Sequence, residues 1–264
     1  MSVVRLIQFT DPHLYGNETE TLRGIATLPA LKAALADAKA SPNWPPNALL
    51  VTGDIVQDDP AGYAHLRQLL GSLGLPVLCI PGNHDEPQAM HRELAGEPFI
   101  LGSFADFGAW RIVLLDSCLP GSASGRINAD TLRQLDQALR SAQGRHCLVA
   151  LHHHPVPMAS QWLDRVGLEN SAELFDTLDR HRNVRAVVWG HVHQAYEGLR
   201  KDVRLLATPS TCAQFLPHAD DFAVDRRPPA YRTFELRADG SMLTEVVWVE
   251  KRAAGSSRSA CSAA

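Results

Sequence analysis

Residues 79–87 read CIPGNHDEP. The apolar run LPVLCI, residues 75–80, stops at Pro81 and Gly82. An amide, an imidazole and two carboxylates follow at once: Asn83, His84, Asp85 and Glu86. A nearly continuous apolar run suits a strand covered on both faces. Polar groups at the mouth of such a strand need partners, because unpaired buried carboxylates and imidazoles are costly.

The same device recurs along the chain. VVRLIQF (3–9) is followed by Asp11-Pro12-His13, and ALLVT (48–52) by Gly53-Asp54. CLVALH (147–152) runs into His152-His153-His154-Pro155, and VRAVVW (184–189) into Gly190-His191-Val192-His193. In open α/β sheets the C-terminal strand ends converge on the ligand crevice. Residues separated by most of the chain are therefore expected to meet.

Further strands are read at 111–116, 203–208, 231–236 and 243–250, the last two alternating as antiparallel strands with one wetter face do. Helices are read at 28–40, 60–73, 87–95, 128–142 and 171–182. Asp58 and Asp59 before Pro60, Asn128 before Ala129 and Asp130, and Ser171 with Glu173 behind it are start signals. Strand and helix alternate early and strands dominate late. That order predicts an α/β chain of two sheets with outer helices.

The strand-end residues suggest a metal site. Asp11 and His13 lie two apart, so an extended chain would point both the same way, and His191 and His193 repeat the spacing. Asp54, Asn83 and one of the three histidines 152–154 complete a set of seven residues. Two ions with about four protein ligands each need about eight contacts, which seven residues supply if one carboxylate bridges. Two divalent ions outweigh Asp11 and Asp54, so the site stays positive and suits a phosphate anion. The lack of cysteine among the donors points to Fe, Mn or Zn.

In this order the motifs D-x-H, G-D, G-N-H-D, H-H-P and G-H-x-H resemble the calcineurin-like metallophosphoesterases. TDPHLYG, ALHHHPVPMASQWLD and LLATPSTCAQFLPH are similar to the bacterial class III 3′,5′-cyclic AMP phosphodiesterase branch. The resemblance implies a four-layer αββα sandwich of two mixed β-sheets flanked by helices. It implies one metal on Asp11, His13 and His193, and another on Asn83, His153 and His191, with Asp54 bridging. Position 153 follows from the family's ligand lying two residues before the proline. Strand alternation would send His152 and His154 to one side and His153 to the other, and so does not choose. His154 is expected to support the site by hydrogen bonding.

His84 is implied to face the substrate, stabilising the phosphoryl charge or protonating the leaving oxygen, with Asp85 holding its ring. Asn83, His84 and Trp162 are the expected substrate-binding residues, Trp162 as a stacking surface for a base. The implied reaction is hydrolysis of 3′,5′-cyclic AMP to 5′-AMP through a metal-bridging hydroxide. A broader phosphodiesterase acting on 2′,3′-cyclic nucleotides or glycerophosphodiesters is the alternative. A non-catalytic scaffold is the second alternative, which the seven matching positions oppose.

Composition agrees with an enzyme of a small anion. The chain has 264 residues, 45% hydrophobic and 20% charged, with a formal net charge of −4, which opposes a protein that coats nucleic acid. Five cysteines show no C-x-x-C spacing, so reduced thiols in a cytoplasmic protein are expected. The start of the chain carries no secretory leader pattern, and no run is long enough to span a membrane. A single domain over residues 1–251 and a disordered tail over 252–264 are expected. Members of such families often form homodimers, and one is allowed here.

Overall fold

A computed structural model describes residues 3–249 of the chain. Two six-stranded sheets carry it. The first runs Met242–Trp248, Ala230–Leu236, Val4–Phe9, Ala48–Thr52, Val77–Ile80 and Phe99–Ile100 from edge to edge. The second runs Tyr196–Arg200, Val203–Ala207, Val184–Trp189, His146–Ala150, Trp110–Leu114 and Phe104–Phe107. The central four strands of the second sheet pair in parallel, as do the four from Val4–Phe9 to Phe99–Ile100 in the first. Antiparallel strands complete the sheets, so both are mixed.

The period of two sorts the apolar residues into layers. Leu6, Leu50, Leu78 and Ile80 of the first sheet meet Ile112, Leu148, Ala150 and Val188 of the second in one buried cluster. Their neighbours turn outward. Ile7, Phe9, Leu49 and Val51 pack under the helices Thr27–Lys39 and Tyr63–Gly71 through Leu31, Leu35, Tyr63 and Leu66. Val149, Val187 and Trp189 pack under Ala129–Arg140 and Ser171–Leu178 through Leu135, Leu139 and Leu174. Strands clad on both faces are why the sequence shows runs rather than alternation. The result is the expected four-layer sandwich.

The expected elements are present with trimmed ends. A single 3₁₀ turn, Pro60–Gly62, precedes Tyr63–Gly71, and Asp59 caps it through Ala61 N. Asn128 Oδ1 accepts from Thr131 N at 2.8 Å. Ser171 does not cap: Asn170 holds that position, and its side chain is used on Ile127. The edge strands Phe104–Phe107 and Tyr196–Arg200 were not legible, being short and half-exposed. The tail expected over 252–264 lies outside the described residues. Among those described, no helix is long and apolar enough to cross a membrane.

Parallel strands of the two sheets open their C-terminal ends onto the same side. Asp11, Asp54, Asn83, His152–His154, His191 and His193 all follow such an end within a few residues.

Candidate metal centre

The backbone around these residues is not extended. Asp11 (φ 51°), His13 (49°), Asp54 (48°), His191 (65°) and His193 (49°) all occupy the left-handed region. Non-glycine residues seldom do so, Asp and His more than most, and such strain concentrates at functional sites. Glycines make room beside them. A Cβ on Gly190 would strike Thr10 Oγ1 and Asp11 Oδ2, and one on Gly82 would strike Asp54.

Two groups of donors form. In the first, His193 Nε2 lies 3.3 Å from Asp11 Oδ1 and 3.1 Å from His13 Nε2. In the second, His152 Nε2 lies 3.2 Å from His191 Nδ1, 3.3 Å from Asn83 Oδ1 and 3.4 Å from Asp54 Oδ1. Asp54 stands between them, with Oδ1 toward His152 and Oδ2 3.8 Å from His13 Nε2. The expectation that His191 and His193 point the same way is therefore corrected. They serve different groups, because positive φ breaks the extended alternation.

His153 takes a different position from His152. Its Nδ1 meets Ser117 Oγ at 2.8 Å, its ring sits against Gly125, and its Nε2 has no hydrogen-bond partner. Its ring is 4.9 Å from that of His152 and 4.8 Å from that of His191, so it joins their donor cluster. The residue that reaches both Asp54 and Asn83 is His152. His154 makes no hydrogen bond through either ring nitrogen and instead stacks on His191 at 5.5 Å. Its expected hydrogen-bonding role is thereby corrected to packing.

The tautomers suit ligation. Thr52 O accepts from His152 Nδ1 at 2.8 Å and Ala213 O accepts from His193 Nδ1 at 2.6 Å. Both rings therefore carry hydrogen on Nδ1 and turn Nε2 inward, as metal-bound histidines do. Burial is the first cause that pushes His13 down to about 4, and it holds His153 and His191 well below the usual histidine range. Neutral imidazole is the form that binds metal. His152 suffers the same burial, but the Asp54 charge and hydrogen bond outweigh it and push it up to about 9. Burial would raise Asp54, yet His152 and then His13 hold it well below the carboxylate range. The ionised Asp54 carboxylate puts negative charge where the donors converge.

The donor set fits a cation. His13 and His193 turn buried Nε2 atoms toward each other, and His191 Nε2 lacks a protein partner. Groups of Asp11, His13 and His193, of Asp11, Asp54 and His152, and of His152, His153 and His191 each bring donors close enough to share an ion. The arrangement can hold a dinuclear centre.

His84 sits at the rim, its side chain 33% exposed. Its Nδ1 lies 3.0 Å from Asp58 Oδ2 and 2.9 Å from Gln57 Nε2. The expectation that Asp85 holds this ring is corrected: the carboxylate on His84 belongs to Asp58. Asp85 is buried and accepts from Gly82 N at 2.8 Å, Ile55 N at 3.1 Å, Val56 N at 3.2 Å and Tyr63 Oη at 2.8 Å. It pins together the two loops that carry Asp54 and Asn83. Burial first, and then the Asp54 charge, push it up to about 6. Adjacent residues of a tight turn diverge, so chain proximity misassigned the partner.

Trp162 lies in the short helix Gln161–Asp164 and is half-buried. Its ring meets Phe215 at 5.3 Å and Phe222 at 5.2 Å, both edge-on. Phe215 in turn lies flat on His193, with 4.0 Å between centroids and 5° between planes.

The family model for the calcineurin-like phosphoesterases matches residues 4–195. The 3′,5′-cyclic adenosine monophosphate phosphodiesterase CpdA of Pseudomonas aeruginosa is 40% identical over 94% of this chain and 90% of its own length. Its namesake in Escherichia coli K12 is 38% identical over 92% of this chain and 89% of its own. A 3′,5′-cyclic-nucleotide phosphodiesterase of Nostoc is 36% identical over 92% and 91%. Among solved structures, a dimetal phosphatase from Danio rerio superposes with a TM-score of 0.65 at 15% identity, covering 95% of this chain and all of that one. At that identity the likeness concerns the fold.

Proposed function

Since the chain belongs to the calcineurin-like phosphoesterases, we propose that it hydrolyses 3′,5′-cyclic AMP to 5′-AMP at a pair of metal ions. The observation that carries this reading is Asp54, whose two oxygens face two separate histidine groups. Asp11, His13 and His193 would hold one ion and Asn83, His191 and His152 the other, with Asp54 between the two groups. His152 takes the role that the family pattern gave to His153, because its Nε2 reaches both Asn83 and Asp54. A pair of bound ions supplies Lewis acidity and an activated water for in-line attack at phosphorus. Iron, manganese or zinc suits imidazole, carboxylate and amide donors without thiolate.

The chain's own residues do the rest. Asn83 and His84 meet the phosphate, and Asp58 fixes the His84 ring through Nδ1, leaving Nε2 for the substrate. His84 stabilises the charge on the phosphoryl oxygens or hands a proton to the departing 3′-oxygen. Water adds across the bond between phosphorus and that oxygen, and the ring opens to the 5′-nucleotide. Asp85 holds the Gly53–Gly82 loops so that Asp54 and Asn83 keep their register. Trp162 lies on the nucleoside side. A cytoplasmic placement, suited to the free thiols Cys79, Cys118, Cys147 and Cys212, and a homodimer belong to the same reading.

A substrate panel on metal-reconstituted protein tests it. Cyclic AMP, cyclic GMP, 2′,3′-cyclic AMP and glycerophosphocholine are compared by kcat/KM, with cyclic AMP expected to lead. Preference for a 2′,3′-cyclic nucleotide or glycerophosphocholine would replace it with the broader phosphodiesterase.

A further inference from the structure

The hairpin of residues 214–225 is unusual in what it exposes. Gln214–Phe215 pairs with Val224–Asp225. Among the described residues, six large apolar side chains are exposed, and Leu216, Phe222 and Val224 are three of them. Scattered apolar residues on a surface need no explanation, whereas three within nine residues beside a buried site do.

The hairpin connects that site to solvent through stacked rings. His193 belongs to the first donor group, and Phe215 lies flat on it at 4.0 Å. Phe222 stands edge-on to Phe215 at 5.3 Å and is 41% exposed. The Arg23 guanidinium sits 4.6 Å over the Phe222 ring. A line of planar groups therefore runs from the donors to solvent, ending in a ring and a cation.

This wall is anchored in advance. Phe215 N donates to His193 O at 3.3 Å, Leu216 N to Ala223 O at 2.8 Å, and Trp162 N to Asp220 O at 3.1 Å. Ser160 Oγ also donates to Ala219 O. Both arms and the far end of the hairpin are fixed, so a ligand stacking there would order little.

We propose that Phe222 and Arg23, carried beside His193 by the Phe215 stack, form the nucleobase subsite of this enzyme. The proposal rests on the phosphodiesterase reading above and adds what selects a nucleotide from other phosphodiesters. Phe222 gives the base an aromatic surface, and Arg23 brings planar donors to acceptor nitrogens of a purine. Continuity with the donor group puts this surface on the nucleoside side of a phosphate held there.

Titration calorimetry on the metal-loaded protein tests it with two ligands, the product 5′-AMP and its baseless analogue ribose 5-phosphate. The wild type binds AMP more tightly. Phe222→Ala weakens AMP by about tenfold, the scale of one base–aromatic stack, and leaves ribose 5-phosphate unchanged. Phe222→Trp keeps the preference, and Arg23→Ala weakens AMP alone. Elemental analysis shows two metal equivalents in each protein. Equal affinities in the wild type, or equal loss of both ligands in Phe222→Ala, overturn the proposal. So does an unchanged AMP affinity in Phe222→Ala accompanied by loss of self-association, which makes the hairpin an interface between copies. A wild type that turns over cyclic AMP but ignores the base ends this proposal alone; one with no turnover ends the parent reading and this one together.

Discussion

Asp54 Oδ1 and His152 Nε2 stand 3.4 Å apart with Asn83 Oδ1 beside them, while the neighbouring His153 turns to Ser117. His152→Ala should therefore remove the second metal, lowering its affinity by about 100-fold or more. His153→Ala should lower it less, by about 10- to 100-fold, as for residues that support a ligand. Bound metal measured by elemental analysis decides between them. The reverse order would make His153 the ligand.

Asp54 faces both donor groups, with Oδ1 toward His152 and Oδ2 toward His13. Asp54→Ala is expected to lose both metals and all measurable turnover together. Retention of one full equivalent would mean that the carboxylate is not shared.

His84 leans on Asp58, not on its chain neighbour. His84→Ala should keep its metals and lower kcat by about 10²-fold or more, the usual range for a proton-transferring side chain. Asp58→Asn should lower kcat by about tenfold with KM nearly unchanged. Asp85→Ala, which strips the acceptor from four donors, should instead lower the melting temperature. If Asp85→Ala reproduces the pure kcat defect of His84→Ala, Asp85 acts on the chemistry after all.

Gly190 leaves no room for a side chain. A Cβ there would overlap Thr10 Oγ1 and Asp11 Oδ2 and come within 3.0 Å of Thr52 O. Gly190→Ala should cost about 1–3 kcal/mol in stability and loosen the first metal by displacing Asp11. Denaturant unfolding and metal titration read the two effects separately. An unaltered metal affinity would mean that the backbone moves instead of Asp11.

Far from the site, Arg111 forks onto Asp106, with contacts of 2.7 and 2.8 Å. The Arg111 hydrogen bond is the main cause holding the Asp106 carboxyl below its usual range. A depressed carboxylate binds fewer protons when folded, so it contributes stability above about pH 4, and this is lost as pH falls through the folded value. Asp106→Asn should cost on the order of 1 kcal/mol at neutral pH. The melting-temperature gap to wild type should be flat above about pH 4 and narrow below it. A gap that widens on acidification would contradict the assignment.

Much of this protein is written in its local sequence. Runs such as ALLVT and AVVW are apolar throughout because their strands are covered on both faces, and that pattern needs no knowledge of partners. The donors at the strand ends are legible for the same reason. Carboxylates, imidazoles and glycines directly after buried strands make sense only if they share a partner.

Tertiary structure decided what spacing could not. The left-handed backbone at Asp11, His13, Asp54, His191 and His193 breaks the two-residue alternation, so the chain's period no longer says where a side chain points. Whether His152 or His153 turns inward depends on Thr52 and Ser117, which lie 100 and 36 residues away in the chain. Asp58 meets His84 across 26 residues, while Asp85, next to it, is drawn off by Tyr63 and three backbone amides. Residue type and order are local properties. The choice among adjacent identical groups is made by contacts between distant strands, which only the packed sheets create.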